Sequence, residues 1–240
     1  MRITLRPWLV AVILPLVLTQ PALSQTPAAA PAPAAVPDGP AYIVSYFETT
    51  PASALQARSL LAGLTRASRK EAGNLQFITL QRIGAPNHFA LLEAWKDKDA
   101  QAAHAGAATT KNFRDQLQSH LRSPYDERPH LTFASDKPSA QAIKSAVYVV
   151  THVDIIPTMK DAGLDMVKGL VADSRKDAGM LAFDALQQAS RPNHVTLVET
   201  WKDHKSLDRH GISAHMKEFR AKFMPLSGSL YDERLYKVVE

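Results

Sequence analysis

Residues 86–97 read PNHFALLEAWKD, and residues 192–203 read PNHVTLVETWKD. The two segments lie 106 positions apart (192 − 86), and the same offset lays Ala41–Ala134 over Val147–Glu240 without an insertion or deletion. About a third of the paired positions are identical, spread over the whole length, which is the mark of a duplicated unit. Ser68-Arg69-Lys70 pairs with Ser174-Arg175-Lys176, Ala72-Gly73 with Ala178-Gly179, His104 with His210, and Tyr125-Asp126-Glu127-Arg128 with Tyr231-Asp232-Glu233-Arg234. The period is too long for a solenoid repeat. The chain must therefore build one domain twice, at 41–134 and 147–240, joined by a polar segment at 135–146.

Within a copy, periodicity gives the order of elements. Tyr42–Phe47 and Tyr148–Val153 are β-branched and aromatic runs of strand length. Pro51 or Pro157 then opens a helical pattern that Gly73 or Gly179 closes. Leu75–Arg82 and His88–Trp95 read as two strands about a turn, followed by a second helix from about Asp99 to Ser119 and a last strand from about Tyr125 to Phe133. The order β-α-β-β-α-β is the ferredoxin-like arrangement of the α+β class, an antiparallel sheet with both helices on one face. Its other face is bare and apolar. Two copies in one chain bury both bare faces by packing sheet to sheet, and the tether makes that pairing intramolecular.

The ends of the chain carry a different signal. Arg2 and Arg6, the apolar run Trp8–Leu18 and the small-x-small Ala22-Leu23-Ser24 read as an export signal over residues 1–24, cleaved before Gln25. The apolar run spans 11 residues and contains Pro15, short of the roughly 20 that a membrane span needs. Residues 25–40 form a Pro/Ala-rich linker. The expected location is periplasmic or secreted, with no membrane association after cleavage. There is no cysteine, which excludes disulfides, thiolate metal sites and a cysteine nucleophile. Losing Arg2 and Arg6 takes the net charge from +5 to +3 (5 − 2), and no Lys/Arg run marks a nucleic-acid partner.

The pattern in each copy resembles the antibiotic biosynthesis monooxygenase superfamily, dimeric α+β barrels that include quinol monooxygenases. The resemblance rests on an Ala-Gly after the first helix, a Phe and a Gln on the next strand, and Asn-His turning into Glu-x-Trp-Lys-Asp. A His nine residues after the Trp and a closing Tyr-Asp-Glu-Arg complete it. It implies that the two packed copies are a fused dimer, an intrachain dimeric α+β barrel expected to be a monomeric chain, with a ligand pocket between sheet and helices in each half. It also implies a cofactor-independent monooxygenase that oxidises a small aromatic quinol or polyphenol with O2. The first strands contain no Asn, unlike the haem-degrading relatives, and Leu91 and Leu197 stand where the best-known anthrone oxygenases have an Asn.

That chemistry asks for a base, a dry aromatic wall and hydrogen-bond donors. His104 and His210 are the candidate bases, their ordinary pKa being near 6.5. Trp95, Trp201, Phe77 and Phe183 are candidates to hold a flat substrate, and Asn87, Asn193, Tyr125 and Tyr231 to hydrogen-bond it. Each has a plainer reading: the Trp as core, the His as a buried hydrogen-bonding group, the Asn as a turn residue, and Tyr-Asp-Glu-Arg as cross-strand ion pairs. The competing function is a non-catalytic module that binds a small ligand or a partner protein on the same barrel. His152, His204 and His215 have no counterpart in the first copy, and with His210 they raise the question of a metal. Their spacings from His210 (six and five residues for His204 and His215) fit no i, i+4 pair, so no metal site is expected.

Overall fold

The computed structural model describes residues 39–135, 137–138 and 142–239; the expected export signal and most of the linker lie outside them. The first half runs β1 (Ala41–Glu48), α1 (Ala54–Ser68), β2 (Asn74–Arg82), β3 (His88–Trp95), α2 (Lys98–Gly106), α3 (Ala108–Gln118) and β4 (Asp126–Ala134). The second repeats it as β5 (Val147–Asp154), α4 (Lys160–Ser174), β6 (Met180–Gln188), β7 (His194–Trp201), α5 (His204–Gly211), α6 (Ala214–Phe223) and β8 (Asp232–Val238).

The two sheets do more than face each other. Their edges pair, β2 with β8 and β4 with β6, so that eight strands close into one barrel in the order β1-β3-β2-β8-β5-β7-β6-β4. The two junctions obey the repeat: Leu80 lies opposite Val238, and adding 106 to the first and subtracting it from the second gives the observed pair Leu186 and Thr132. Closure leaves no free sheet edge, which removes the usual liability of unpaired strand backbone. Val239 N extends this junction by donating to the Thr79 carbonyl at 3.0 Å.

Closure also explains why the strands read as continuous apolar runs. In β1 every residue from Tyr42 to Phe47 is buried. Tyr42, Val44 and Tyr46 point into the barrel with Ile78, Leu80, Ala90 and Leu92, and meet Tyr148, Val150, Leu186 and Tyr236 of the other half. The alternate side chains, Phe47, Phe77, Phe89, Leu91 and Trp95, pack under Leu61, Leu64, Phe113 and Leu117 of the helices. A strand covered on both faces has no polar side to show. Within the barrel, Tyr46 and His152 lie ring to ring at 5.0 Å, and the Arg128 Nη1 group donates to His152 Nδ1 at 3.1 Å.

The expected second helix is two helices. The chain breaks at Ala107, whose φ and ψ of −63° and 143° are extended, and at the equivalent Ser213, whose hydroxyl accepts from Met216 N. Before the break, Asp97 and Asp203 cap α2 and α5 through Ala100 N and Ser206 N, both at 2.8 Å. The Ala-Gly pairs have a steric cause. Gly73 and Gly179 take φ of +81° and +96°, and a Cβ on them would lie 2.6 Å from Ala100 Cβ and 2.2 Å from Ser206 Oγ. These glycines let the first turn of α2 and α5 sit against the loop that precedes β2 and β6.

The closing tetrad differs from expectation. Its ion pairs run along the strand and out to a helix rather than across strands: Asp126 with Arg128, Asp232 with Arg234, Glu127 with Arg114 on α3, and Glu233 with Arg220 on α6. Side chains two apart in a strand share a face, so an acid and a base at that spacing meet without a neighbouring strand.

Candidate active site

In β3, Phe89, Leu91, Glu93 and Trp95 share the helix-facing side. Glu93 is thus an acid aimed into an apolar layer, and it and Trp95 are 5% and 0% exposed. The indole Nε1–H of Trp95 donates to Glu93 Oε2 at 3.0 Å. The end of α2 brings His104 down onto the indole, rings stacked at 4.5 Å and 25°, with Phe77 edge-on to the imidazole at 5.5 Å. His104 Nδ1 lies 2.9 Å from Glu71 Oε2, and its Nε2 lies 3.6 Å from Glu93 Oε2. The imidazole is therefore held between two carboxylates.

The second half rebuilds this cluster. Trp201 Nε1–H donates to Glu199 Oε2 at 2.8 Å, and His210 packs on Trp201 at 4.8 Å. His210 Nδ1 is 2.8 Å from Asp177 Oδ2, and its Nε2 is 4.0 Å from Glu199 Oε2. A carboxylate can only accept, so the Nδ1 contact places the neutral imidazole's proton on Nδ1 and leaves Nε2 as a lone pair aimed at the Glu199 side. Phe183, fully buried, belongs to the apolar layer beneath α4 and α6.

Burial dominates the electrostatics. It raises both Glu93 and Glu199 from an ordinary 4.5 to about 7, partly opposed by the Trp95 and Trp201 hydrogen bonds that favour the carboxylates. Burial lowers the His210 pKa against the opposing pull of Asp177. Each half thus holds a carboxyl poised near neutrality beside an imidazole, a pair able to take and relay a proton.

The remaining sequence candidates divide. Tyr125 is half-buried, with Phe47 stacked at 5.4 Å and the Arg114 guanidinium 3.4 Å over its ring, and desolvation raises its pKa. Tyr231 contacts Phe219 at 6.1 Å, and burial with the facing Glu199 carboxyl raises its pKa. Asn87 and Asn193 are not brought to the cluster. Their side-chain amides donate to the carbonyls of Thr49 and Ile155 at 2.9 and 2.8 Å, tying the β3 and β7 turns to the ends of β1 and β5. Glu93, Glu199, Glu71 and Asp177 were missed as site residues. The parity of Glu93 with Trp95 was a usable signal for the first pair; nothing local marked the second.

Histidine spacing proved misleading. The break between α5 and α6 brings His215 Nε2 within 3.2 Å of Asp177 Oδ2, so Asp177, His210 and His215 present ligand-type atoms within 4.8 Å of one another. A helix break defeats an i, i+4 criterion. In the first half Thr109 stands in place of His215. His204 begins α5, exposed and apart from the group.

Comparison with known proteins places this arrangement. The profile described as Antibiotic biosynthesis monooxygenase matches residues 40–116 and again 146–222. The chain belongs to the antibiotic biosynthesis monooxygenase family. It is 30% identical over 82 residues to YcnE of Bacillus subtilis (strain 168), a match spanning 34% of this chain and 86% of that protein. The crystal structure of FN1347 from Fusobacterium nucleatum subsp. nucleatum ATCC 25586 superposes with a TM-score of 0.76 at 15% identity, over 84% of this chain and 93% of that one. Both are named "putative monooxygenase". An anthrone oxidase-like protein superposes with a TM-score of 0.64 at 13% identity, over 85% and 92%. At these identities the two structures establish the fold. Among the described residues, no helix is long and apolar enough to cross a membrane.

Proposed function

We propose that the protein is a cofactor-independent monooxygenase that oxidises a small aromatic quinol or polyphenol with O2. The observation that carries the reading is the buried Trp–His–Glu cluster, in which a carboxyl with a pKa near 7 and an imidazole lone pair lie beside an indole face. A phenolic hydroxyl gives its proton to the histidine Nε2, the phenolate passes an electron to dioxygen, and radical recombination forms a C–O bond. Loss of water then gives the product, so that one quinol and one dioxygen yield one hydroxyquinone and one water. One oxygen atom ends on the ring and the other in water, and all the electrons that reduce the dioxygen come from the quinol. The protein's part is deprotonation, a dry aromatic surround, and donors that stabilise the anion.

Oxygen uptake without added metal or cofactor, over a panel of hydroquinones and anthrones, tests this. The expected result is uptake above autoxidation that disappears in a folded His104→Ala/His210→Ala double variant. Uptake no faster than autoxidation across the panel refutes it. The proposed location is outside the cytoplasm, with cleavage before Gln25; a protein recovered there that still begins at Met1 refutes the cleavage.

A further inference from the structure

The two clusters are not equivalent. In the second half, four buried polar atoms on the helix-facing side have no hydrogen-bond partner: Glu199 Oε1, His210 Nε2, Tyr231 Oη and Thr151 Oγ1. Of the corresponding atoms in the first half, only Ser45 Oγ is both fully buried and unpaired. A buried polar group without a partner is costly, because it has given up its hydrogen bonds to water. Unpaired atoms of this kind are a standing cost that a ligand's own polar groups would relieve.

The packing points the same way. In the first half the tyrosine ring is stacked on by Phe47 and covered by the Arg114 guanidinium, and Thr110 Oγ1 lies 3.4 Å from His104 Nδ1. Offset by 106, Phe47 becomes Val153 and Thr110 becomes Met216, so the second tyrosine loses its stacking partner and the second histidine its hydroxyl neighbour. Beside Tyr231 opens an apolar groove of about 600 Å³, walled by Phe219, Phe223, Met224 and Leu230. The exposed Met224 and Leu230, at 73% and 89%, form its rim.

We infer that the second half alone is the binding half, and that it takes a small flat phenol whose hydroxyl is held among Glu199, His210 and Tyr231 while its ring lies toward the groove. The chemistry of the atoms selects a hydroxyl. His210 Nε2 offers a lone pair, Tyr231 Oη can donate, and the 4.0 Å between His210 Nε2 and Glu199 Oε2 is too long for a direct hydrogen bond. It is short enough for one oxygen to sit within hydrogen-bonding distance of both side chains. A group that both donates and accepts meets these demands, whereas a simple anion would set its charge against Glu199. The first half serves as the fixed partner that closes the barrel.

This inference deepens the proposed oxygenase reading and rests on it, so the test separates the two. The full chain is titrated calorimetrically with 2-naphthol under argon, a phenol that binds without being oxidised, beside Tyr231→Phe and Glu199→Gln. Expected are one site per chain, and affinity at least tenfold weaker in both variants, with circular dichroism unchanged. Tyr231→Phe removes one oxygen atom and keeps the ring, so it remains informative if Glu199→Gln folds poorly. Two equal sites, wild-type affinity in Tyr231→Phe, or no binding by the folded protein overturns the inference. Oxygen uptake by the same protein preparations, in air with the hydroquinone and anthrone panel, decides the other question: uptake with two equal sites keeps the oxygenase and discards the asymmetry, and one-site binding without uptake does the reverse.

Discussion

Glu199→Gln should reveal the cost of burying a carboxylate as a function of pH. Burial raises the Glu199 pKa to about 7 from an ordinary 4.5. Between those values the folded chain binds a proton that the unfolded chain has released. Stability from this group is therefore fully present below pH 4.5 and is lost as pH rises through about 7. A difference of that size is worth about 3 kcal/mol. Total stability conceals it, because burial lowers His130 and His152 from 6.5 to about 4 and gives a trend of opposite sign over an overlapping range. The difference between wild type and variant isolates the glutamate, since glutamine does not titrate. At about pH 5 both side chains are neutral and both accept from the Trp201 Nε1–H, so the variant should lie within about 1 kcal/mol of wild type. By about pH 8 the difference should have moved about 3 kcal/mol in the variant's favour. Urea unfolding followed by circular dichroism, at half-unit steps from pH 5 to pH 8, measures it. A difference that stays within about 0.5 kcal/mol across the range, or that moves against the variant, refutes the argument that this carboxyl is desolvated.

Val153→Phe should place a ring where Phe47 covers Tyr125, weakening 2-naphthol binding at least tenfold at a stability cost of about 1–3 kcal/mol for the added volume, read by calorimetry and urea unfolding. Gly63→Ala and Gly73→Ala should diverge. Gly63 lies within α1 with open space at its Cβ, and alanine there should gain up to about 1 kcal/mol. Gly73 has φ of +81° and would bring a Cβ to 2.6 Å from Ala100 Cβ, and alanine should lose about 2 kcal/mol or more by denaturant unfolding. Ending the chain after Arg234 removes the Leu80–Val238, Gln81–Lys237 and Arg82–Tyr236 pairings. It should expose the barrel interior, seen as dye binding and loss of near-ultraviolet circular dichroism; native spectra from the shortened chain would contradict the closure described.

The repeat made the halves and their element order legible, because each strand and helix had to be consistent with two sequences at once. The barrel was expected from the family resemblance, but the strand pairs that close it were not legible. Pairing of β2 with β8 is made by backbone groups, and the residues involved, such as Gln81 opposite Lys237, carry no side-chain signature of a partner 156 positions away (237 − 81). The break between α2 and α3 was marked only by Gly106, too weak a signal against the helical pattern on either side. In the site, Trp95 and His104 were candidates through the family resemblance, and the structure stacks their rings at 4.5 Å. The acid that holds His104 was not, since Glu71 reaches it through a loop and 33 positions of chain. Asn87 and Asn193 illustrate another case: they stand at turns as expected, but their amides bond carbonyls 38 positions earlier, at the ends of β1 and β5.

Tyr46 and His152 occupy the same position of the repeat (152 − 46 = 106) and meet ring to ring inside the barrel. In an assembly of two identical subunits such a pair could only be Tyr against Tyr or His against His, because every substitution arrives twice. A fused chain is free of that rule. At its axis it can join unlike residues, here a phenol and an imidazole with Arg128 donating to one side. Away from the axis it can change one pocket without touching the other. Gene fusion thus turned a symmetry constraint into a heredity problem with two independent alleles in one molecule, and Phe47 against Val153 is what such independence looks like after divergence.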